Sequence, residues 1–398
     1  MYENTCLKGI RVLDISNYNS GPIAGQVLGD LGADVIKIER KTGDPTRNYG
    51  PFVNGESIYY QHLNRNKRGM TLNFTKPAGK KVFLELVKGA DVVIENFMAG
   101  KMKQYGLGYE DLKAVNPGII LLSITGYGQS DSPYLNRAAF DITTQAFSGL
   151  VSLTGPAGEA GVKVGPPVCD QMSGYWGALG VLAALFERSI SGEGQHIDLA
   201  MADVGANSLE HWIPAYGLTG AEPVRCGNRW PGSAPTGGYD TLDGKDTVFI
   251  SVANNKQAEK IAELIGHPEL IGSDVYATAD IRGKNADYIN DLVNSFTSAH
   301  SRDEIVGLFS EAGIPCAPVN TVKDIYNDPH FRQRKEIVEL DHPVIGKVPV
   351  TVTPFRPLRT PLNMVSAGPV LGADTDTILK DIGLDDAEIA ELRDSDII

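Results

Sequence analysis

Cysteine is scarce in this 398-residue chain: Cys6, Cys169, Cys226 and Cys316 stand apart, with no C-x-x-C pair. That spacing supports neither a disulfide framework nor a structural zinc site, and it suits a reducing cytoplasm. The seven histidines (His62, His196, His211, His267, His300, His330, His342) form no H-x-x-x-H or H-x-H pair, so metal catalysis has no ligand set. Positive charge is in deficit, with 36 Lys and Arg against 49 Asp and Glu and a net charge of -13, which argues against nucleic acid as a partner. No long apolar run is present. The longest helical one, residues 175–186, has twelve residues and ends at Glu187-Arg188, too short to cross a bilayer. The start, Met1-Tyr2-Glu3-Asn4-Thr5-Cys6-Leu7, lacks a basic segment followed by an apolar core, so a soluble cytoplasmic protein is expected, without membrane contact. Neither a G-x-S-x-G elbow nor an internal repeat occurs.

What is present is alternation. Residues 10–15, 34–38, 91–94 and 119–124 read as short, nearly continuous apolar strands. Helical spacing over 22–31, 76–88 and 110–115 separates them, and 142–153 and 175–188 follow as helices. Such a pattern predicts an α/β fold with a parallel sheet covered on both faces. Residues 223–238, rich in Gly and Pro around Trp230, read as a long ordered loop. A smaller α+β unit is expected beyond it, and helical, acidic sequence returns over 371–398. We place a large domain at 1–205 and 335–398 and a small one at 225–325, since this length exceeds one small core.

The turn after the first strand, Ser16-Asn17-Tyr18-Asn19-Ser20-Gly21-Pro22, lacks the three spaced glycines of a dinucleotide fingerprint. Cations gather instead where strands end: Arg40, Lys41 and Arg47, then Arg65, Lys67 and Arg68, then Lys101 and Lys103. At the carboxyl edge of a parallel sheet they would suit phosphate groups, although exposed Lys and Arg are also the ordinary surface of a protein.

The most informative residue is Asp170, in Gly165-Pro166-Pro167-Val168-Cys169-Asp170-Gln171-Met172-Ser173-Gly174. Two prolines force an extended entry, and the apolar stretch that follows reads as a buried helix. First-turn amides and the helix dipole are expected to keep the carboxylate ionised. Such a group suits covalent catalysis; it equally suits an N-cap, and the local pattern leaves both readings open.

With these residues in view, the sequence resembles the class III CoA-transferases, the CaiB/BaiF family that includes formyl-CoA transferase and carnitine CoA-transferase. The resemblance rests on Leu7-Lys8-Gly9-Ile10-Arg11-Val12-Leu13-Asp14, Gly21-Pro22, Leu31-Gly32-Ala33-Asp34, Gly43-Asp44-Pro45-Thr46-Arg47, Asn66-Lys67-Arg68, Glu95-Asn96-Phe97, Thr125-Gly126-Tyr127-Gly128, the Asp170 segment, Gly192-Glu193-Gly194-Gln195-His196 and Gly313-Ile314-Pro315-Cys316. It implies a Rossmann-like large domain with a smaller α+β domain, in a homodimer of interlocked chains. It implies Asp170 as nucleophile and CoA contacts at Asn19, Arg40, Leu72, Asn96, Phe97 and Arg137. Gln104 stands where relatives often carry Arg, so Lys101 or Lys103 is expected to replace that contact. Tyr49, Tyr59, Tyr60 and Phe140 fall where the family places substrate-facing aromatics. A mobile glycine loop maps onto Pro231-Gly232-Ser233-Ala234-Pro235-Thr236-Gly237-Gly238, expected to act as a lid through Gly232, Gly237 and Gly238. The reaction implied moves CoA from an acyl-CoA to a free carboxylic acid, both substrates, with no permanently bound cofactor.

The alternative on the same fold is an α-methylacyl-CoA racemase. That activity needs a base pair, but Phe140 occupies the histidine position beside Asp141, and Asn254-Asn255 fall near the racemase glutamate.

Overall fold

The structure is a computed structural model, and it describes residues 4–230, 232–242, 244 and 246–398. The chain forms two compact units, one of residues 1–150, 163–217 and 329–398 and one of residues 151–162 and 218–328.

The first unit is built on six strands: β1 (Arg11–Asp14), β2 (Asp34–Glu39), β3 (Lys67–Thr71), β4 (Val92–Glu95), β5 (Ile120–Thr125) and β6 (His196–Ala200). Their order is β3-β2-β1-β4-β5-β6, and every pairing is parallel. β4 and β5 are buried along their whole length, as the continuous apolar runs predict for a sheet covered on both faces. One apolar layer packs Leu13, Ile36, Val93 and Leu121 beneath α2 (Pro77–Lys88). The other packs Val12, Val35, Ile94 and Leu122 beneath α1 (Ser20–Asp30) and α5 (Val168–Ser191).

Chain order reverses between β1 and β4, and ligands of open α/β sheets bind at the carboxyl ends of strands flanking such a point. The two loops there are tied together: the Asn17 N–H donates to Asn96 Oδ1 at 2.8 Å, and Asn96 Nδ2 donates to the Asn17 carbonyl at 2.6 Å.

α5 brings Asp170 to that edge. It lies close against α1 because Gly174 has no side chain: a Cβ there would stand 2.5 Å from Ile23 Cγ2 and 2.8 Å from the Ser20 carbonyl. Contrary to the reading of a buried helix, α5 is not buried all round. Tyr175, Trp176 and Leu179 are about half exposed, and Phe186 and Ile190 are 72% and 77% exposed. The helix expected over 142–153 is two pieces, α4 (Asp141–Phe147) and a turn at Leu150–Leu153, parted by Gly149 at φ 93°.

The second unit holds an antiparallel sheet of β7 (Gly237–Asp240), β8 (Thr247–Ile250) and β9 (Cys316–Pro318), with β8 central. Tyr239, Val248, Ile261, Val293 and Phe309 fill its core. Among the described residues no helix is long and apolar enough to cross a membrane.

Candidate active site

Asp170 is the third residue of α5, not its cap; that position belongs to Pro167, whose side chain makes no cap hydrogen bond. The cap function is taken from a distance. Asp141 Oδ1 accepts the N–H of Cys169 at 2.9 Å and of Asp170 at 3.3 Å. Asp141 is itself held by fully buried Gln145, whose Nε2 donates to Asp141 Oδ2 at 2.7 Å and whose Oε1 accepts the Val164 N–H at 2.9 Å. Gln145 therefore fastens the extended entry to α5 and the acid that caps it.

This arrangement reverses the expected ionisation. The first-turn amides that were to stabilise Asp170 are engaged by Asp141. Burial pushes the Asp170 carboxyl up to about 7, the negative charge of Asp141 adds to the rise, and a hydrogen bond from the Asn19 side chain opposes it. Asn19 also hydrogen-bonds Tyr59, whose phenol is raised by burial and then by the nearby charge of Asp170. The amide of Gly174 lies inside the helical ladder and is not free to meet an oxyanion.

Asp170 forms part of the wall of a cavity of about 270 Å³ at the switch point. Asn96, Phe97, Arg137 and Phe140 line the same cavity, so residues far apart in the chain meet there. Tyr49 and Tyr59 stack edge-on 6.1 Å apart, and Tyr49 lies 6.4 Å from Tyr18, which is also on the cavity wall. Tyr60 is not with them. It is fully buried, its hydroxyl donates to Glu39 Oε2 at 2.9 Å, and the Arg47 guanidinium covers its ring at 3.7 Å. The Leu72 side chain is likewise core, with its N–H donating to the Glu39 carbonyl, so only its backbone carbonyl is left for a ligand.

Most of the cations that gather at strand ends are structural. Lys67 reaches Asp14 at 2.8 Å, Arg65 pairs with Asp30, Arg68 with Asp34 at 2.7 Å, Arg47 with Glu39 at 2.8 Å and Lys41 with Asp396 at 2.7 Å. Burial lowers the Lys67 ammonium to about 8 even with Asp14 beside it. Arg40 and Lys103 are exposed and form no ion pair among the described residues. Lys101 donates to Gln104 Oε1 at 3.1 Å from the short helix α3 (Lys101–Tyr105) that follows β4, so Gln104 engages the lysine expected to replace it.

The glycine loop also differs from expectation. Pro231 lies outside the described residues. Gly237 and Gly238 belong to β7, where they pair with Ile250 and Phe249 of β8. A Cβ on Gly237 would stand 2.5 Å from the Asn228 carbonyl, so this glycine serves close packing. A Cβ on Gly232 would meet open space, but its φ of 69° is one that side chains disfavour, and its carbonyl lies so close to Gly283 that a Cβ there would stand 2.4 Å away.

Sequence reasoning missed Tyr18, Gln145 and Glu95. Glu95 is buried at the end of β4, accepts the Phe97 N–H at 2.7 Å and is pushed up to about 7 by burial, so it orders the loop that carries Asn96 and Phe97. The Asp141–Gln145 spacing of four on a helix was the one local sign of that pair.

The chain also matches known proteins over most of its length. A family model described as CoA-transferase family III matches residues 7–375. The chain is 35% identical over 398 residues to a succinyl-CoA–L-malate CoA-transferase beta subunit of Chloroflexus aurantiacus, covering 98% of each protein. It is 33% identical over 395 residues to the human succinyl-CoA:glutarate CoA-transferase, covering 98% of this chain and 90% of that one. A crystal structure of a CaiB/BaiF family protein from Brucella suis superposes with a TM-score of 0.86 at 35% identity, covering 96% of this chain and 100% of that one. The fold and these relatives define an enzyme that transfers CoA. Within that class, the chain belongs to CoA-transferase family III.

Proposed function

We propose that the protein moves CoA from an acyl-CoA donor to a free carboxylic acid by covalent chemistry on Asp170. The observation that carries this reading is a carboxyl in a cavity wall, hydrogen-bonded by Asn19 and raised to about 7 by burial and the like charge of Asp141. A carboxylate of raised basicity is a better nucleophile once ionised, and nucleophilic catalysis divides one difficult exchange into easier steps. The ionised Asp170 oxygen attacks the thioester carbonyl, forming a mixed anhydride and releasing CoA thiolate. The thiolate attacks the aspartyl carbonyl, freeing the donor acid as its carboxylate and leaving an aspartyl-CoA thioester. The acceptor carboxylate attacks that thioester, giving a second anhydride and thiolate. Attack of the thiolate on the acceptor's acyl carbonyl yields the new acyl-CoA and restores Asp170. Asn19, already bonded to the carboxyl, is the donor assigned to charge developing on the aspartyl oxygen.

Arg40, Lys101, Lys103 and Arg137 are the cations we assign to the CoA phosphates, with Asn96, Phe97 and the Leu72 backbone along its path. The activities that name the two CoA-transferase relatives support succinyl-CoA as donor and a short dicarboxylic acid as acceptor. The half-exposed aromatic face of α5, with Ile213 and Tyr216 exposed on the helix Trp212–Thr219, supports a homodimer that covers them. The test is Asp170→Asn, assayed by CoA exchange between succinyl-CoA and a panel of acids. Turnover falls by more than about a thousand-fold with the fold intact; a variant that retains more refutes the assignment.

A further inference from the structure

Tyr18 is a bulky residue at φ 62°, in the left-handed region that a side chain with a Cβ disfavours. Its neighbours leave it no other course. Before it, buried Lys37 donates to the Ser16 carbonyl, Ser16 N–H is bound to Asp14 Oδ1 at 3.0 Å, and Asn17 is bonded twice to Asn96. After it, the Asn19 carbonyl accepts the N–H of Ile23, in the first turn of α1, at 2.9 Å. Lys37 also holds Asp44 at 3.0 Å, and Asp44 Oδ1 accepts the Tyr18 N–H at 3.4 Å. Nothing in the core requires an aromatic ring here, because the Tyr18 side chain projects to the cavity wall instead. There its ring meets Phe140 edge to face, with centroids 5.5 Å apart at 82°. Both rings line the cavity that Asp170 lines. A disfavoured backbone kept by fixed surroundings at a reactive cavity points to a function for the side chain that it presents.

We propose that Tyr18, braced by Phe140, is a specificity-determining residue that limits the size of the acyl group delivered to Asp170. The proposal rests on the reading of Asp170 as the residue that takes the acyl group. A rigid ring edge excludes bulk by contact, and it discriminates between esters that share the same CoA.

The experiment compares kcat/KM for octanoyl-CoA and succinyl-CoA with a common acid acceptor. Tyr18→Asn removes the ring and places a residue that tolerates the left-handed region. The ratio of octanoyl to succinyl efficiency rises by about ten-fold or more, and thermal unfolding occurs no lower than in the wild type. Tyr18→Phe, which keeps the ring, restores the wild-type ratio. Phe140→Leu, at a position 57% exposed, shifts the ratio in the same direction as Tyr18→Asn and guards against a folding defect in the first variant. An unchanged ratio in both ring-deleting variants, with hydroxylamine still trapping acylated Asp170, overturns the proposal alone. Failure of the wild type to yield any trapped Asp170 while CoA exchange proceeds overturns the underlying reading, and the proposal with it.

Discussion

Asp170→Asn is expected to make the protein more stable at neutral and alkaline pH while removing its activity. The folded Asp170 carboxyl stands at about 7 against an ordinary 3.8. Between those values the folded protein binds a proton that the unfolded chain has lost, so the stability of the wild type falls as pH rises. At about 1.36 kcal/mol per unit, the whole shift corresponds to about 4 kcal/mol above pH 7. Solvent reaching the carboxyl through the cavity reduces this, and about 2 kcal/mol is the difference we expect to measure. Asparagine carries no charge, so it avoids both the desolvation of the carboxylate and its repulsion by Asp141. Urea unfolding of both proteins from pH 4 to pH 8.5 is the assay. The stability gap is near zero at pH 4, opens through pH 7 and is constant above it. A gap that is the same at pH 4 and pH 8.5, or one favouring the wild type at high pH, refutes the argument that burial and Asp141 raise this carboxyl.

Two more outcomes follow from the same geometry. The pH profile of kcat/KM has an acid limb near 7 set by Asp170, and Asp141→Asn, which retains an oxygen for the Cys169 N–H but removes the charge, moves that limb to lower pH; a limb that stays fixed contradicts the role of Asp141. Gly174→Ala forces a methyl group against Ile23 and the Ser20 carbonyl and lowers stability by about 1–3 kcal/mol in denaturant unfolding, whereas an unchanged midpoint contradicts the close approach of α1 and α5.

The parallel sheet was legible because its central strands are buried on both faces and therefore read as unbroken apolar runs, as in Ile120–Thr125. The edge strands Lys67–Thr71 and His196–Ala200 carry polar residues and lack that signal. The prolines and the apolar stretch beyond them placed Asp170 at a helix start, and it is the third residue of that helix. Its ionisation was not legible, because the group that takes the helix-start amides comes from Asp141, 29 residues away. The same limit applies to the cations: Lys67 meets Asp14 across 53 residues, and only the fold shows that this pair is buried structure. Gly237 and Gly238 read as loop from composition, yet strand pairing and the nearby Asn228 carbonyl give them a packing role.

The central claim, an acyl or CoA adduct on Asp170, is tested most directly by chemical trapping. The full-length protein is incubated with succinyl-CoA, quenched with hydroxylamine, digested and sequenced by mass spectrometry. The expected product is a hydroxamate on the Asp170 side chain, formed only when the acyl-CoA is present and absent from Asp170→Asn. Sustained CoA exchange with Asp170 unmodified, or with the adduct on another carboxylate, would contradict it.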